Sequence, residues 1–323
     1  MKKGHKVRQI VDKANSKAKK LKPKCFFSSC NELAINSHSQ SMGRSLRNIS
    51  VDGKVIGLDI NPFDSPADVN DWFKEIGIRQ ASRFKGFCQK HDDEFFKAVD
   101  SFGVDDVGKK TLARLAFRTF AMEVRIKEQA FCMVSTIIKR IACLGLPFPD
   151  DLYYFNLGRE YFLKNDVPYY LNKFETMLDL NNYHDVESAV FMLNRNIGIS
   201  CSTCINPSNL AWLSEKNHDY KNLENPLPVV FFTVVPGSSE TMVVFTYFMN
   251  DKPLVINFIR EHDRLEEIVF NYCEEVLFNP DFFNSLADDE KRKIVDALTQ
   301  WIVWGKVLFP DLFKVNLTSP NYY

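Results

Sequence analysis

The chain has 323 residues, 45% hydrophobic and 25% charged, with a formal net charge of zero. It is long enough for two or three domains and a sizeable core, and its composition is that of an ordinary globular protein. Eight cysteines with no secretory leader argue against a disulfide framework and predict a cytoplasmic protein with reduced thiols, and the longest apolar stretch, Ala130 to Phe148, is broken by Lys139 and Arg140 and falls short of a membrane span.

The charge is unevenly placed. Residues 1–24 hold ten lysines and arginines against Asp12 alone, a local +9 that the remainder offsets. Val7 to Leu21 fits a basic helix with Val7, Ile10, Val11, Ala14 and Ala18 along one side, a stripe so thin that the segment is expected to order only on binding. Pro23 ends it. Such an arm suits a phosphate backbone, a solubilising tail, or an arm docked on the protein's own acidic body.

Two short pairs of soft ligands follow. Cys25-Phe-Phe-Ser-Ser-Cys30 leaves four residues between its cysteines, and Cys88-Gln-Lys-His91 leaves two. Each pair can span one edge of a tetrahedron, and three sulfurs with one imidazole are a common structural zinc set. The plain alternative is two buried free thiols and a surface histidine. Between the pairs, Leu33 to Ile35 predicts a short strand leading to His38, and Ser45 to Ile49 a second short element. Val51 to Leu58 reads as a hairpin about Asp52-Gly53, and 59–70 as a loop. Cys88 opens a helix running to Val99. Arg44 and Arg47 follow His38, while Arg79, Arg83, Lys85 and Lys90 gather around the second pair. Their clustering points to DNA or RNA contact, with a solvated surface as the alternative.

Leu112, Leu115, Ala116, Thr119, Phe120, Val124 and Ile126 place one long helix or two over 105–146. Leu152 to Lys164 and Val167 to Leu180 continue the helical texture. From Asp185 the chain turns β-rich, with strands predicted at Ser188–Leu193, Asn196–Ser200, Val229–Val235 and Met242–Phe248. Val235 to Glu240 supplies the turn between the last two. Asp263 to Phe278 and Asp288 to Phe309 return to helix. The fold class is α+β: a basic helical arm at 1–24, a zinc-binding module at 25–100, and an α+β domain at 101–323. Within that domain helices are expected over 105–180, strands over 185–260 and helices over 263–310. Cys201-Ser-Thr-Cys204 is a half-site, with Cys273 and His218 as nearby candidates, and reads as packed cysteines.

The order of knuckle, strand, histidine, hairpin and ligand-bearing helix over 25–100 resembles treble-clef zinc modules of the HNH nuclease type. The resemblance implies a structural Zn2+ on Cys25, Cys30, Cys88 and His91. It also implies His38 as the base that activates water, with Mg2+ or Mn2+ held beside it, for which Asp92 is the nearest candidate. Arg44, Arg47, Arg83 and Lys85 would then contact the nucleic-acid backbone. Two departures stand. Ser37 replaces the usual aspartate or histidine before the base, and no asparagine occurs in Ala81 to Phe87, leaving Asn48 or Asp59 as spatial substitutes. Two functions compete: a metal-dependent endonuclease or effector, with bacterial antiviral defence as its expected setting, and a non-catalytic zinc-stabilised protein whose residues 101–323 bind a protein partner or ligand.

Overall fold

Val230–Pro236 and Thr241–Phe248 are buried at every position, whereas a sheet with one wet face would alternate apolar with polar residues. Both faces must therefore be covered, and they are. The computed structural model describes residues 2–58, 68–100, 107–145, 150–207, 226–299 and 312–323. From the N-terminus these form α1 (Lys2–Lys19), β1 (Asn36–His38), β2 (Lys54–Leu58), β3 (Phe73–Gly77), β4 (Arg83–Lys85), α2 (Gln89–Asp100), α3 (Lys109–Ala142), α4 (Asp150–Tyr161) and α5 (Val167–Asp179). β5 (Val186–Leu193), β6 (Ile199–Ile205), β7 (Val230–Pro236), β8 (Thr241–Phe248), α6 (Lys252–Glu261), α7 (Leu265–Tyr272), β9 (Val276–Phe278), α8 (Pro280–Ser285), α9 (Asp288–Thr299) and β10 (Asn321–Tyr322) follow. The class is α+β. Among the described residues no helix is long and apolar enough to cross a membrane.

The larger sheet has eight strands in the order β10-β5-β8-β7-β6-β9-β2-β3, each neighbouring pair antiparallel. One face sets Val190, Phe231, Val244 and Phe248 against Phe117 and Phe120 of α3 and Tyr170 and Phe174 of α5. The other sets Phe191, Phe232 and Phe245 against Phe258 of α6, Ile268 of α7 and Ile294 of α9. Deleting one such phenylalanine ring costs about 3–5 kcal/mol, so these two layers dominate the stability.

The second sheet is a pair. β1 and β4 run antiparallel, with Ser37 opposite Phe84 and His38 opposite Arg83. β2 and β3 lie between them in sequence but join the larger sheet, where Ile56 of β2 faces Phe278 of β9. The Asp52-Gly53 turn forms, both residues having positive φ (50° and 71°) as in a type I′ turn, but the hairpin expected over 51–58 does not: Val51 makes only an isolated bridge to Lys54, and 54–58 pairs with 73–77. Asp52 tolerates that conformation because its short polar side chain offsets the strain.

Several elements depart from the periodicity. α1 does not wait for a partner, because Val11, Ala14 and Ala18 are buried where it packs along α3. The strand expected at Leu33–Ile35 begins at Asn36, since Leu33 makes only an isolated bridge to Lys24. Likewise β6 starts at Ile199, because Gly198 (φ 74°) turns the chain just before it. Residues 252–261, expected within the strand region, are helix α6, started by Pro253 at its first turn. The helix expected through Phe278 ends at Tyr272, and 276–278 become β9. Cross-strand partners far away in sequence decided that exchange. The helix expected over 288–309 is seen through Thr299; the rest of it, residues 59–67 of the predicted loop, Asp59 and His218 lie outside the described residues.

Candidate metal centre

The four predicted ligands meet. One ligand atom from each of Cys25, Cys30, Cys88 and His91 lies within 4.8 Å of all the others. Cys30 Sγ is 3.8 Å from Cys88 Sγ. His91 Nδ1 is 3.2 Å from Cys25 Sγ and 3.5 Å from Cys88 Sγ. Ligands on a tetrahedral Zn2+ would sit about 3.8 Å apart for two sulfurs and about 3.6 Å for sulfur and nitrogen. The donor set and the spacing both fit a closed, four-coordinate ion such as zinc.

Local structure explains the placement. Cys25 N–H donates to the Glu32 carbonyl (2.8 Å) and Cys30 N–H to the Phe27 carbonyl (3.1 Å), which folds 25–30 into a tight knuckle. Cys88 stands just before α2, and its carbonyl accepts from Asp92 N–H (2.9 Å). That first helical turn carries His91 round to the same side. Phe26 N–H to the Gly86 carbonyl (2.9 Å) and Ile35 N–H to the Phe87 carbonyl (2.7 Å) tie the two halves together. Knuckle, the β1–β4 pair and α2 therefore frame the cluster, while the hairpin expected between strand and helix is not part of it, because 54–58 pairs with β3 and β9 in the larger sheet.

The surroundings bear on the charge of the ligands. Burial pushes the Cys25 thiol up to about 12, opposed by N–H groups of Cys88 and Phe27 directed at its sulfur. Burial, then Lys90, holds His91 below the usual imidazole value, which keeps it neutral. A cation would reverse the penalty on the thiolates, and the two N–H donors would support them in its outer shell. Phe27 covers the imidazole at 4.4 Å between ring centres.

His38 sits at the end of β1, half-buried. Its Nδ1 lies 3.0 Å from the Ala81 carbonyl. A carbonyl can only accept, so Nδ1 carries the proton and Nε2 keeps its lone pair. Burial is the main cause lowering its pKa, and the cations of Arg83 and Arg118 add to it. Asp92 behaves differently. Burial raises its pKa, while the Ser37 hydroxyl and Arg118 oppose the shift. Ser37 and His38 are successive strand residues on opposite faces, and no hydrogen bond joins Asp92 to His38 among the described residues. The carboxylate whose charge reaches His38 is instead Asp100, which Arg118 holds at 2.8 Å.

The predicted basic residues scatter in detail. Arg83 is exposed on β4 opposite His38, and half-buried Lys85 lies opposite Asn36. Arg44 and Arg47 are exposed in and just after a one-turn π-helix, Met42–Leu46. Asn48 donates to the Pro236 carbonyl (3.0 Å), so its amide braces the β7 end rather than facing the histidine. Cys201 and Cys204 point to opposite faces of β6. Cys201 joins Cys273 in one core, and Cys204 packs on the α3 side, so the half-site cannot chelate.

Sequence reasoning missed Arg118 and Glu175. Arg118 is 2% exposed and stacks 4.6 Å over Phe96. Glu175 on α5 accepts from both the N–H (2.5 Å) and the hydroxyl (2.6 Å) of Ser28 at the knuckle tip. Neither belongs to a motif, and only three-dimensional proximity marks them. No protein-family model, curated protein or solved structure matches this chain, so its reading rests on its own residues.

Proposed function

We propose that the chain is a zinc-stabilised nucleic-acid-interacting protein in which His38 serves HNH-like hydrolysis of a phosphodiester. The observation that carries this reading is the commitment of His38 Nδ1 to the Ala81 carbonyl, within a module organised by the ligand cluster. It leaves the lone pair on Nε2, and burial, which lowers the pKa, favours the neutral ring, the state a general base needs to take a proton from water. Arg83 stands opposite His38 in the register and is suited to a phosphate oxygen. Mg2+ or Mn2+ would stabilise the leaving oxygen. A setting in antiviral defence has no residue behind it and forms no part of the proposal.

The test joins elemental analysis to cleavage assays on DNA and RNA with Mg2+ or Mn2+. The wild type should carry one zinc and cleave. His38→Ala should keep the zinc and the fold and lose cleavage. A wild type inactive on every substrate and metal, or an unaltered His38→Ala, sinks the nuclease reading.

One arrangement favours a second reading, a non-catalytic zinc-stabilised binding protein. Asp92 is engaged by Ser37, and the buried Arg118 cation stands beside both Asp92 and Asp100. A fixed positive charge next to these carboxylates repels a second divalent cation. On this reading the wild type binds without cleaving, and His38→Ala changes affinity alone.

A further inference from the structure

The two cationic regions of the N-terminal half are not equivalent. Arg44, Arg47, Arg83 and Lys85 come from separate short elements, whereas α1 presents its charge on one regular face. Lys6, Lys13, Lys17 and Lys20 are all exposed. Their spacing of seven, four and three residues keeps them on one side of a helix and its last turn. Asp12 is the one acid in Lys2–Lys19. Along the axis the four ammoniums span about 21 Å, a length over which a nucleic-acid duplex presents roughly a dozen phosphate charges.

Two observations narrow the occupant. First, Val11, Ala14 and Ala18 are already buried against α3. The helix therefore has no free apolar face to sink into a bilayer, as an interfacial membrane helix needs. Second, among the described residues none of these four lysines enters an ion pair. Among the described residues no acidic group lies within ion-pair distance of these four ammoniums. An ordered row of exposed lysines is a complement to a polyanion whose charges repeat along a line.

We infer that α1, pre-ordered by its packing on α3, is a docking surface for the phosphate backbone of a nucleic acid, bound without regard to sequence. The inference rests on the nucleic-acid reading above and adds where the strand lies. Lysine suits that task because a flexible point charge follows a backbone without fixing register.

The experiment is a salt titration of full-length, zinc-loaded protein on a fluorescent 20-base-pair duplex and a 30-nucleotide single strand. The variant replaces Lys6, Lys13, Lys17 and Lys20 together with glutamine, and zinc content and circular dichroism verify its fold. The wild type should bind with a steep salt dependence. The variant should lose roughly 100-fold or more in affinity at low salt, with a log–log slope on the duplex shallower by about 3–4, near 0.9 for each phosphate no longer neutralised. Arg83→Gln serves as the control for the His38 surface. If the variant keeps the wild-type affinity and slope while Arg83→Gln weakens binding, the α1 docking surface is wrong and the nucleic-acid reading survives. If the wild type binds neither ligand, both fail. Lysine-dependent binding to vesicles of phosphatidylserine and phosphatidylcholine, without nucleic-acid binding, overturns the inference in favour of a membrane.

Discussion

Glu175 grips Ser28. Both carboxylate oxygens of this α5 side chain are engaged by the N–H and hydroxyl of one residue at the knuckle tip, 147 residues away in the chain. The candidate ligand cluster is therefore braced from the layer that covers the sheet. A charge-assisted pair of this kind fixes the loop between Cys25 and Cys30, and so the angle at which both sulfurs approach a cation. Glu175→Ala should weaken zinc retention by roughly 10-fold, the low end of the range for losing a group bonded directly to a ligand, because Glu175 acts through Ser28. Competition with a chromogenic chelator reads this directly, and equal affinities in the two proteins would show that Glu175 does not brace the site.

Zinc removal should be felt well beyond the knuckle. Phe26 lies 5.6 Å from Phe120, and Phe27 lies 5.3 Å from Phe117, between ring centres. The two residues that follow Cys25 thus plug the same aromatic core that rests on the sheet. Chelation, or Cys88→Ser, should lower the melting temperature by roughly 10 °C or more in a single transition. A separate low-temperature step with the main transition unmoved would show an independent module instead.

Arg118→Met tests the buried cation. Its guanidinium binds Asp100 (2.8 Å) and the Phe96 carbonyl (3.3 Å). Asp100 keeps 46% of its side chain exposed, so water recovers part of the loss, and a destabilisation of about 2–3 kcal/mol is expected. Arg118 is one of the two cations lowering the His38 pKa, so NMR titration of the variant should find that pKa raised. A His38 titration identical to the wild type would separate the two groups.

Asp166 closes the turn before α5 and is 1% exposed. Burial pushes its carboxyl up to about 7, against the opposing N–H of Leu227. The folded chain therefore holds this proton more tightly than the unfolded chain, whose carboxyl titrates near 3.9. Its linkage contributes stability that is complete below about pH 4 and lost as pH rises through about 7. Asp166→Asn keeps an acceptor for Leu227 and carries no charge. Relative to the wild type it should gain stability between pH 5 and pH 8, read from urea midpoints. A constant difference across that range would show that Asp166 does not titrate there.

Much of the fold was legible where neighbours in sequence do the work. The 3.6-residue recurrence of Leu112, Leu115, Ala116 and Phe120 is enough for α3, and the continuous apolar runs for β7 and β8. β3, β9 and α8 were not legible. They are three to six residues long, carry no full period, and owe their conformation to partners such as the Ile56–Phe278 pairing.

The ligands of the candidate centre were set by sequence alone, because each pair is a local turn whose spacing matches one edge of a tetrahedron. Only tertiary structure decided that the two pairs converge, that Asp92 goes to Ser37 while His38 goes to Ala81, and that Glu175 braces the knuckle. It also decided that α1 is an ordered helix with Lys6, Lys13, Lys17 and Lys19 outward. The reason is physical: side-chain direction on a short strand and docking of a thin apolar stripe depend on which surfaces arrive from far along the chain. Cys25, Cys30, Cys88 and His91 needed no such information to be recognised, and all four needed it to meet.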